Sequence, residues 1–510
     1  MGRMPSPQEP LAALRRLRAR RAGIDTYQQP VIYMRSDCAV CRAEGFEAQA
    51  QVEVRLDGRR VLAILHRVDA DWLHHDEAAL SDAAWNLLGV RGGEEIEVTH
   101  APPLDSLASV RAKVYGRQLG YGQLRTLMDD VSQGRLSDLH LASFLTACAG
   151  GRMSPGEIID LTRAMVDVGT RLRWHASPVM DKHCVGGLPG NRTTPIVVAI
   201  VAACGAVMPK TSSRAITSPA GTADTMEVLA PVALSVREMQ RVVDREGGCI
   251  VWGGAARLSP ADDVLIRVER PLDIDSEAQL VASVLSKKLA AGSDRVLIDI
   301  PVGPTAKVRS SEAARSLAGS LQAVGEAMGL ELRVIQSDGR QPVGRGIGPA
   351  LEARDVLAVL RHQADAPPDL RERALALASE LLEMAGRCAP GGGAALAQCV
   401  LDDGRAWAKF VAICEAQGGL REPVTAPCTA PVTATAAGRV ATIDNRRLAR
   451  AAKLAGAPRD ACAGAFIHVR LGDRVAAGQP LFTLHAQSPG ELAYALSYVA
   501  GQAPIVALED

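Results

Sequence analysis

A lysine, a histidine and three glycines lie between two apolar segments near the middle of the chain. The stretch reads Val179-Met-Asp-Lys-His-Cys-Val-Gly-Gly-Leu-Pro-Gly-Asn-Arg-Thr-Thr-Pro195. We expect a strand that ends at Asp181, a glycine loop, and a helix with Thr194 as N-cap and Pro195 as first residue, ending before Gly205. Unsatisfied N–H groups at the helix start and the charge of Lys182 favour an anion-binding cradle, and a tight turn alone is the alternative.

A second stretch, residues 209–224, is dense in hydroxyl groups and leads from the next strand into another helix. Hydroxyl groups at the carboxyl end of a strand suit phosphate or sugar oxygens, and here they exceed what capping one helix requires. They belong to Thr211, Ser212, Ser213, Thr217, Ser218 and Thr222. The preceding segment is similar to a Walker phosphate loop, but Pro209 stands where the second glycine is needed, so an ATPase is excluded.

A third stretch, residues 258–275, precedes a predicted helix that carries Ser283, Lys287 and Lys288. Ser283 and Lys287 are four residues apart and therefore share a helix face. A solvated surface pair is the alternative interpretation of that spacing. Lys307 follows a predicted strand and a glycine-containing loop, so it is also expected to reach the carboxyl edge of the sheet.

These motifs together resemble the thymidine and pyrimidine-nucleoside phosphorylase family. The resemblance rests on Asp181-Lys-His with Gly186-Gly187, the loop from Ser212 to Thr222, Glu227, and Ser283 through Lys288. Two segments resemble the long branch of the family, which is typified by archaeal AMP phosphorylase: Gly190-Asn-Arg-Thr-Thr and Lys210-Thr-Ser-Ser-Arg-Ala-Ile-Thr-Ser-Pro-Ala-Gly-Thr-Ala-Asp224. The likeness covers roughly residues 30 to 505.

The resemblance implies a set of site residues. For phosphate it implies Lys182, Cys184, Gly187, Thr194, Ser212 and Thr222. For the nucleoside or nucleotide it implies Gly187, Ser213, Arg214, Ala215, Ile216, Thr217, Ser218, Thr222, Ser283, Lys287 and Lys307. The implied catalytic groups are Lys182, Asp275 as the proton donor, and His183 in the thymidine-type arrangement. Cys184 stands where the family usually has a phosphate-binding serine, and a thiol is a weaker hydrogen-bond donor.

The implied activity is that of a pentosyltransferase. Phosphate attacks the pentose of a nucleoside, and the products are the free base and pentose 1-phosphate. Two substrates stay open, because the Arg and Tyr that contact thymine in thymidine phosphorylases have no clear match in Leu265-Ile-Arg-Val-Glu-Arg270. The first is thymidine and the second is a nucleotide such as AMP. A nucleotide or phosphate sensor without catalysis is the alternative from another class.

The composition agrees with an enzyme of small molecules. Lys plus Arg (57) equals Asp plus Glu (57), so the chain has no net positive charge that would attract nucleic acid or an anionic membrane as partner. Eleven cysteines without dense spacing predict reduced thiols and a cytoplasmic protein. Cys38-x-x-Cys41 lacks the further ligands that a zinc site needs, so we predict no metal and no organic cofactor, with phosphate as co-substrate. The resemblance implies a homodimer or a higher homo-oligomer.

The order of the predicted elements indicates several α/β domains, because 510 residues exceed one hydrophobic core. We expect a basic arm, with a helix at about 11–21, in residues 1–25, and a small β-rich domain in 26–100. A helical domain follows in 101–175, completed by about 276–292. The large, mainly parallel α/β domain spans 176–421 and binds phosphate and substrate. Residues 422–435 are predicted to be a linker, and 436–510 an α+β domain.

Overall fold

A computed structural model describes residues 16–215, 218–272, 274 and 276–509. The chain divides into two compact units. The first runs from the start of the described chain to Arg117 and includes Asp129–Phe144, and the second consists of Gln118–Met128 and everything from Leu145 onward. Each unit is described by itself.

The first unit contains a closed six-stranded barrel in the order β1-β5-β2-β4-β3-β6. Its elements are β1 (Arg16–Arg21), β2 (Val31–Arg35), α1 (Ala39–Glu44), β3 (Gln51–Leu56), β4 (Arg59–Val68), β5 (Glu77–Leu80), α2 (Asp82–Leu88) and β6 (Glu95–His100). The predicted hairpin of β3 and β4 is confirmed. Its turn residues Asp57 and Gly58 both have positive φ, 46° and 80°, as this tight turn requires.

The basic helix expected near the N-terminus is wrong for residues 16–21, and residues 11–15 lie outside the described chain. The segment is strand β1, because its residues alternate with a period of two. Leu17 and Ala19 point into the barrel core, and Arg16, Arg18 and Arg20 point outward. Those arginines pair with carboxylates of β6, of β5 and of the residue before β5, for example Arg16 with Glu95 at 3.3 Å.

Four helices follow the barrel, as predicted. They are α3 (Ser106–Val114), α4 (Tyr121–Ser132), α5 (Asp138–Cys148) and α6 (Pro155–Asp167). Ser154 caps α6 by accepting from the backbone N–H of Glu157, with Pro155 in the first turn.

The α/β region supplies the strands that carry the predicted chemistry. Its first elements are β7 (Met180–Cys184), α7 (Thr193–Ala203), β8 (Met208–Ser212), α8 (Thr222–Leu229), α9 (Val236–Glu246), β9 (Gly248–Trp252), α10 (Pro260–Leu272), α11 (Glu277–Ala290), β10 (Arg295–Val302), α12 (Ser311–Ala327) and β11 (Glu331–Asp338). The remaining elements are β12 (Gly346–Ile347), α13 (Pro349–Leu360), α14 (Pro368–Met384), α15 (Gly393–Asp402) and α16 (Arg405–Gln417). Strands β11, β10 and β7 form one parallel sheet, and β8 and β9 form another, which confirms the parallel α/β prediction.

The main core of this region surrounds α7. That helix is apolar on every side from Ile196 to Ala202 and fully buried, as expected for a helix enclosed between a sheet and other helices. Leu377 of α14 and Phe410 of α16 belong to the same core cluster. The burial of α7 fixes the position of its N-terminus, which begins directly beside β7.

The C-terminal region is α+β, as predicted. Its elements are β13 (Cys428–Thr433), β14 (Gly438–Ile443), α17 (Asn445–Leu454), β15 (Gly464–Ile467), β16 (Arg474–Val475), β17 (Pro480–Ala486), α18 (Pro489–Ala500) and β18 (Val506–Glu509). The predicted linker is partly wrong, because β13 lies within it and pairs antiparallel with β17. Pro431 is tolerated there because β13 is an edge strand.

Candidate active site

Three parallel strands of the α/β region end at one cavity. Strands β7, β8 and β9 end at Cys184, Ser212 and Trp252. A parallel bridge between Val179 and Val207 joins the segments that lead into β7 and β8. These strand ends and the loops after them line a cavity of about 740 Å³. Ligands commonly bind at the carboxyl edge of parallel sheets, so the topology and the cavity point to the same place.

Lys182 lies inside β7 rather than in the loop after it. The strand does not end at Asp181, as predicted, but continues to Cys184, because its backbone pairs with β10 as far as Asp299. The Lys182 side chain is 1% exposed, and its Nζ donates to Thr193 Oγ1 at 2.6 Å. Thr193 is the first residue of α7. The ammonium group therefore lies at the N-terminus of a buried helix.

The start of α7 differs from the prediction by two residues. Arg192 is the N-cap, and Thr194 and Pro195 are the second and third residues of the helix. The N-cap Arg192 makes no side-chain capping hydrogen bond, and its backbone N–H donates to Gly190 O at 2.6 Å. Thr194 still lines the cavity. The helix ends before Gly205, as predicted.

Two glycines give this loop its shape. Gly190 has φ +72°, and a Cβ there would lie 2.2 Å from the backbone oxygen of Val343. Gly187 has φ +90°, and a Cβ there would lie 3.4 Å from the backbone nitrogen and Cβ of Lys307. Gly190 is required by both its left-handed conformation and its close approach, and Gly187 by its left-handed conformation. The glycines of the motif therefore hold the backbone of the loop against its neighbours beside the cavity.

The charge of Lys182 has no carboxylate partner. Among the described residues, no carboxylate oxygen lies within 4.0 Å of its ammonium group. Burial lowers the pKa of Lys182; the charge of the Asp299 carboxylate opposes this shift, and the guanidinium groups of Arg192 and Arg373 add to it. A buried cation without a counterion is costly, so the site favours an anionic ligand.

Asp181, the adjacent residue, has the opposite environment. Its Oδ1 accepts from Lys210 Nζ at 2.9 Å, and its Oδ2 accepts from Lys288 Nζ at 2.8 Å and from Ser293 Oγ at 3.3 Å. Burial alone would raise the pKa of Asp181, but the two lysines lower it below its ordinary value. Asp181 is therefore an ionised structural centre that ties β7 to β8 and α11.

His183 lines the cavity in a strongly positive environment. Burial lowers its pKa well below the ordinary value, and the charges of Lys288, Lys210, Lys287 and Lys182 lower it further. The imidazole is therefore neutral at neutral pH. It can donate one hydrogen bond but does not carry a proton ready for release.

Cys184 lines the cavity as a neutral thiol. Its Sγ accepts from Asn191 Nδ2 at 3.2 Å. Burial and the nearby carboxylate of Asp299 raise the pKa of the Cys184 thiol. It is therefore a weak hydrogen-bond donor rather than a nucleophile.

Arg192 positions the second loop. Its Nη1 donates to Thr222 Oγ1 at 2.7 Å and its Nη2 to Ala220 O at 2.9 Å, and the guanidinium pairs with Glu352 at 2.7 Å. Glu352 also accepts from Thr225 Oγ1 at 3.1 Å. This buried ion pair joins the start of α7, the start of α8 and helix α13.

Arg214, the cationic residue of the second loop, is paired with carboxylates, as Arg192 is. Arg214 pairs with Glu227 and Asp224, and its guanidinium stacks over the ring of Trp252 at 4.9 Å. Asp224 Oδ2 accepts from Ala215 N at 2.6 Å and from Gly221 N at 2.8 Å. These contacts fix the described part of the loop around residues 213–222.

One face of α11 turns toward the same cavity. Gln279, Ser283 and Lys287 follow at intervals of four residues, and all three line it. Lys287 Nζ pairs with Asp262 Oδ2 at 2.6 Å, which connects α11 to α10. The predicted shared face of Ser283 and Lys287 is therefore confirmed, and it faces the cavity.

Lys307 and Arg309 add two further cations to the cavity wall. Both are exposed to solvent, and within the described residues neither has a carboxylate within 4.0 Å. They follow β10, as expected for Lys307. Within the described residues, the cavity thus has cations without carboxylate partners in three places, at Lys182, at Lys307 with Arg309, and at Arg270.

Most of the predicted site residues line this one cavity. They are Lys182, His183, Cys184, Gly187, Thr194, Ser212, Ser213, Arg214, Ser218, Thr222, Ser283, Lys287 and Lys307. Ala215 does not line the cavity, and its backbone N–H bonds to Asp224 instead. Ile216, Thr217 and Asp275 lie outside the described residues.

Sequence reasoning assigned no role to several residues that the structure brings to the site. Arg192 and Lys210 lie inside the motifs already recognised, so their position there was a usable signal. Glu352 lies in a helix without any local motif, and Gln279 lies in α11 four residues before the Ser283 to Lys288 motif. Within the described residues, no group of three or more His, Cys, Asp or Glu side chains could hold a metal ion. No helix in the described part of the chain is long and apolar enough to cross a membrane.

Three family models match the chain. The glycosyl transferase family helical bundle domain matches residues 108–169, and the glycosyl transferase family a/b domain matches residues 176–407. The pyrimidine nucleoside phosphorylase C-terminal domain matches residues 439–505. Together with the cavity, these matches define a transferase of the pentosyltransferase class.

Curated relatives match almost the whole chain. "Putative thymidine phosphorylase 2" of Acidovorax sp. (strain JS42) is 65% identical over 97% of this chain and 96% of its own length. "Putative thymidine phosphorylase" of Polaromonas sp. (strain JS666 / ATCC BAA-500) is 63% identical over 99% of this chain and 100% of its own. The solved anthranilate phosphoribosyltransferase of Thermus thermophilus is similar to 61% of this chain and 99% of its own, with 21% identity and a TM-score of 0.49. The chain belongs to the thymidine phosphorylase family.

Proposed function

We propose that the protein catalyses phosphorolysis of a pyrimidine nucleoside such as thymidine. The observation that carries the proposal is Lys182, a buried cation without a carboxylate partner among the described residues, which lies against the start of α7 in the main cavity. Phosphate supplies the missing negative charge there. The names of the curated relatives support thymidine as the nucleoside.

In the proposed reaction, a phosphate oxygen attacks C1′ of the pentose. The new bond joins that oxygen to C1′, and the bond from C1′ to the base nitrogen breaks with its electron pair on the base. Asp275 delivers the proton that the leaving base requires, a role that rests on the resemblance alone. Holding phosphate and nucleoside in line is worth up to roughly 7 to 11 kcal/mol, so positioning is the main contribution.

His183 has a different proposed role. Because burial and then the charges of four lysines lower the pKa of His183, the imidazole is neutral and donates a hydrogen bond to the departing base or to the sugar rather than a full proton. A bound phosphate would oppose the field of these lysines and raise the pKa of His183. The histidine thus supports the reaction through hydrogen bonding at the same cavity.

A nucleotide such as AMP is the second candidate substrate. It is favoured by Lys307 and Arg309, two cations in the cavity that lack carboxylate partners among the described residues. Arginine and lysine both bind phosphate groups strongly. If the substrate carries a 5′-phosphate, these two side chains are the ones we expect to receive it.

We further propose that the enzyme needs no organic cofactor or metal and that phosphate is its co-substrate. We also propose that it works in the cytoplasm as a homodimer or a higher homo-oligomer. All eleven cysteines are free thiols, which supports a reducing compartment. The oligomeric state rests on the resemblance.

The test is release of free base in the presence and absence of phosphate. Thymidine, uridine, adenosine, AMP and CMP are assayed side by side, with pentose 1-phosphate measured as the second product. Phosphate-dependent release from thymidine supports the first proposal, and a strong preference for AMP supports the second. Binding of phosphate and nucleoside without any turnover would identify a sensor and overturn both.

A further inference from the structure

The glycine loop between β7 and α7, residues 185–192, lies against a second glycine-containing segment. Residues 342–346 lead into β12 and are called the supporting segment. Val343 N donates to Pro189 O at 3.2 Å. A Cβ at Gly190 would lie 2.2 Å from Val343 O and 2.8 Å from Gly346 O. Backbone therefore meets backbone here, and the position of Gly190 depends on the position of the supporting segment.

The glycine loop leads directly into the proposed phosphate site. Arg192 N donates to Gly190 O at 2.6 Å, and the next residue, Thr193, begins α7. Thr193 Oγ1 accepts from Lys182 Nζ at 2.6 Å. A shift of Gly190 would therefore move the start of α7 relative to Lys182. Such shifts matter, because a displacement of about 1 Å can cost about 100-fold in rate.

A guanidinium group of the C-terminal region holds the supporting segment. Arg470 follows β15, and its side chain is 25% exposed. Its Nη1 donates to Pro342 O at 2.9 Å, and its Nη2 donates to Gly344 O at 2.5 Å. The same Nη2 pairs with Asp369 at 3.1 Å, and Asp369 accepts from Gly344 N at 3.1 Å. The planar fork of one arginine thus fixes the two carbonyls on either side of Val343.

The other end of the supporting segment is fixed within the α/β region. Asp355 of α13 accepts through Oδ2 from Arg345 N at 2.6 Å and from Gly346 N at 2.7 Å. For the carbonyls of Pro342 and Gly344, Arg470 is the only hydrogen-bond donor in the described chain. The first half of the segment is therefore held from the C-terminal region alone.

We propose that Arg470 is a positioning residue for the phosphate site. It fixes the supporting segment, the segment fixes Gly190, and Gly190 fixes the start of α7 beside Lys182. Arg470 does not line the cavity itself. The C-terminal region thus takes part in phosphate binding without touching phosphate. This inference rests on the proposed phosphorolysis for the identity of the anion, and it adds what holds the anion site in place.

The test measures binding of inorganic phosphate, without nucleoside, by isothermal titration calorimetry on the wild type, Arg470→Met and Arg470→Lys. Steady-state kinetics on the same preparations give KM for phosphate and for the nucleoside. In Arg470→Met, Kd and KM for phosphate should rise by about tenfold, less than a displacement of 1 Å can cost. KM for the nucleoside should stay within about twofold. Arg470→Lys should give intermediate values, because an ammonium group lacks the fork that reaches both carbonyls.

Arg474→Met is the matched control. Arg474 is an exposed arginine of β16 in the same C-terminal region, and its side chain makes no hydrogen bond or ion pair in the described chain. The control should leave Kd and KM for phosphate unchanged. Thermal unfolding of each variant shows whether it is folded under the conditions of the binding measurement.

Two results would overturn the inference. If Arg470→Met unfolds at a lower temperature but binds phosphate as tightly as the wild type, Arg470 only joins the C-terminal region to the α/β region. If Arg470→Lys binds phosphate like the wild type, positive charge is sufficient and the fork positions nothing. Should Arg470→Met fail to fold, Arg470→Lys decides the question alone.

Failure of the proposed function has a different signature. A wild type that binds phosphate but releases no base would refute phosphorolysis, and the comparison of Kd values would still test Arg470. A wild type that binds no phosphate would overturn the anion site at Lys182 and this inference with it.

Discussion

The two faces of strand β7 treat buried charge in opposite ways. Asp181 and His183 lie on one face, and Lys182 and Cys184 lie on the other, because side chains alternate along a strand. On the first face, the carboxylate of Asp181 is bonded to two lysines and a serine. On the second face, the ammonium group of Lys182 donates to the hydroxyl of Thr193 and has no carboxylate partner in the described chain.

Asp181 and Lys182 are adjacent, yet the paired charge of Asp181 stabilises the fold, whereas the unpaired charge of Lys182 is available to a ligand. A buried charge that has its partners holds elements together, whereas a buried charge without partners adds cost to the empty protein. The cost is removed when an anion binds. Removing a partner of Asp181 should therefore lower the stability of the fold. Removing the charge of Lys182 should instead weaken phosphate binding and leave the stability unchanged or higher.

The largest expected effect is on stability, at the paired face. Lys288→Met removes one of the two cations from Asp181 and leaves the buried carboxylate short of a partner. Breaking such a pair costs about 3 to 5 kcal/mol, so the free energy of unfolding should fall by that order. Denaturant unfolding of the purified variant measures it. A variant as stable as the wild type would mean that Asp181 is not held by its lysines.

The second prediction concerns the unpaired face. Lys182→Met removes the cation that lacks a partner, so the folded protein should be as stable as the wild type or more stable. Phosphorolysis at limiting phosphate should fall by about 100-fold or more, as for a lost charged group that binds the reacting anion. Steady-state kinetics and unfolding are measured on the same preparation. Near-normal activity would assign the phosphate cradle to another segment.

The third prediction concerns the proton that the leaving base receives rather than a fixed charge on β7. Asp275→Asn keeps the size of the side chain but cannot deliver a proton. Activity should fall by about 100-fold, with KM for phosphate unchanged. Equal activity of variant and wild type on every accepted substrate would leave His183 as the group that assists the leaving base.

Much of the site was predictable because local motifs hold its residues. Lys182, Ser212, Thr222 and Ser283 follow from strand, loop and helix signals and from the resemblance, and all four line one cavity. The pairing of charges was not predictable. Lys210 and Lys288 reach Asp181 from 29 and 107 residues away, and only the register of the strands and the placement of α11 bring them there.

The errors in the fold have the same origin. In the sequence, the arginines of β1 resemble part of a basic helix. Their carboxylate partners lie on neighbouring segments of the barrel but are distant along the chain, so the sequence does not reveal the pairing. Pro431 suggests a linker, yet an edge strand with one neighbour accommodates it. In both cases, a local signal is overruled by a partner that the sequence does not place nearby.

The fourth prediction uses pH to distinguish the roles of the two faces of β7 in the wild-type protein. Burial lowers the pKa of Lys182, so its charge is present below that lowered pKa and is lost as the pH rises through it. KM for phosphate should therefore begin to rise at a lower pH than it would if the lysine were exposed and its pKa were not lowered. KM for the nucleoside should not follow it. Parallel pH profiles of the two constants would show that Lys182 does not control the binding of phosphate.

The smallest expected effect is at Lys307, outside both faces but in the same cavity. If the substrate is a nucleotide, kcat/KM for AMP should exceed kcat/KM for adenosine by a factor that reflects one or two charge-assisted hydrogen bonds, each worth about 1.5 to 3 kcal/mol. Lys307→Ala should reduce this difference between the two substrates. Arg309→Ala should narrow it as well, since Arg309 is the other cation of this wall without a carboxylate partner in the described chain. If the substrate is a nucleoside, no negative group faces these cations, and both variants should keep the wild-type preference for thymidine. Such a preference would remove the nucleotide as substrate, while the phosphate site at Lys182 would be unaffected.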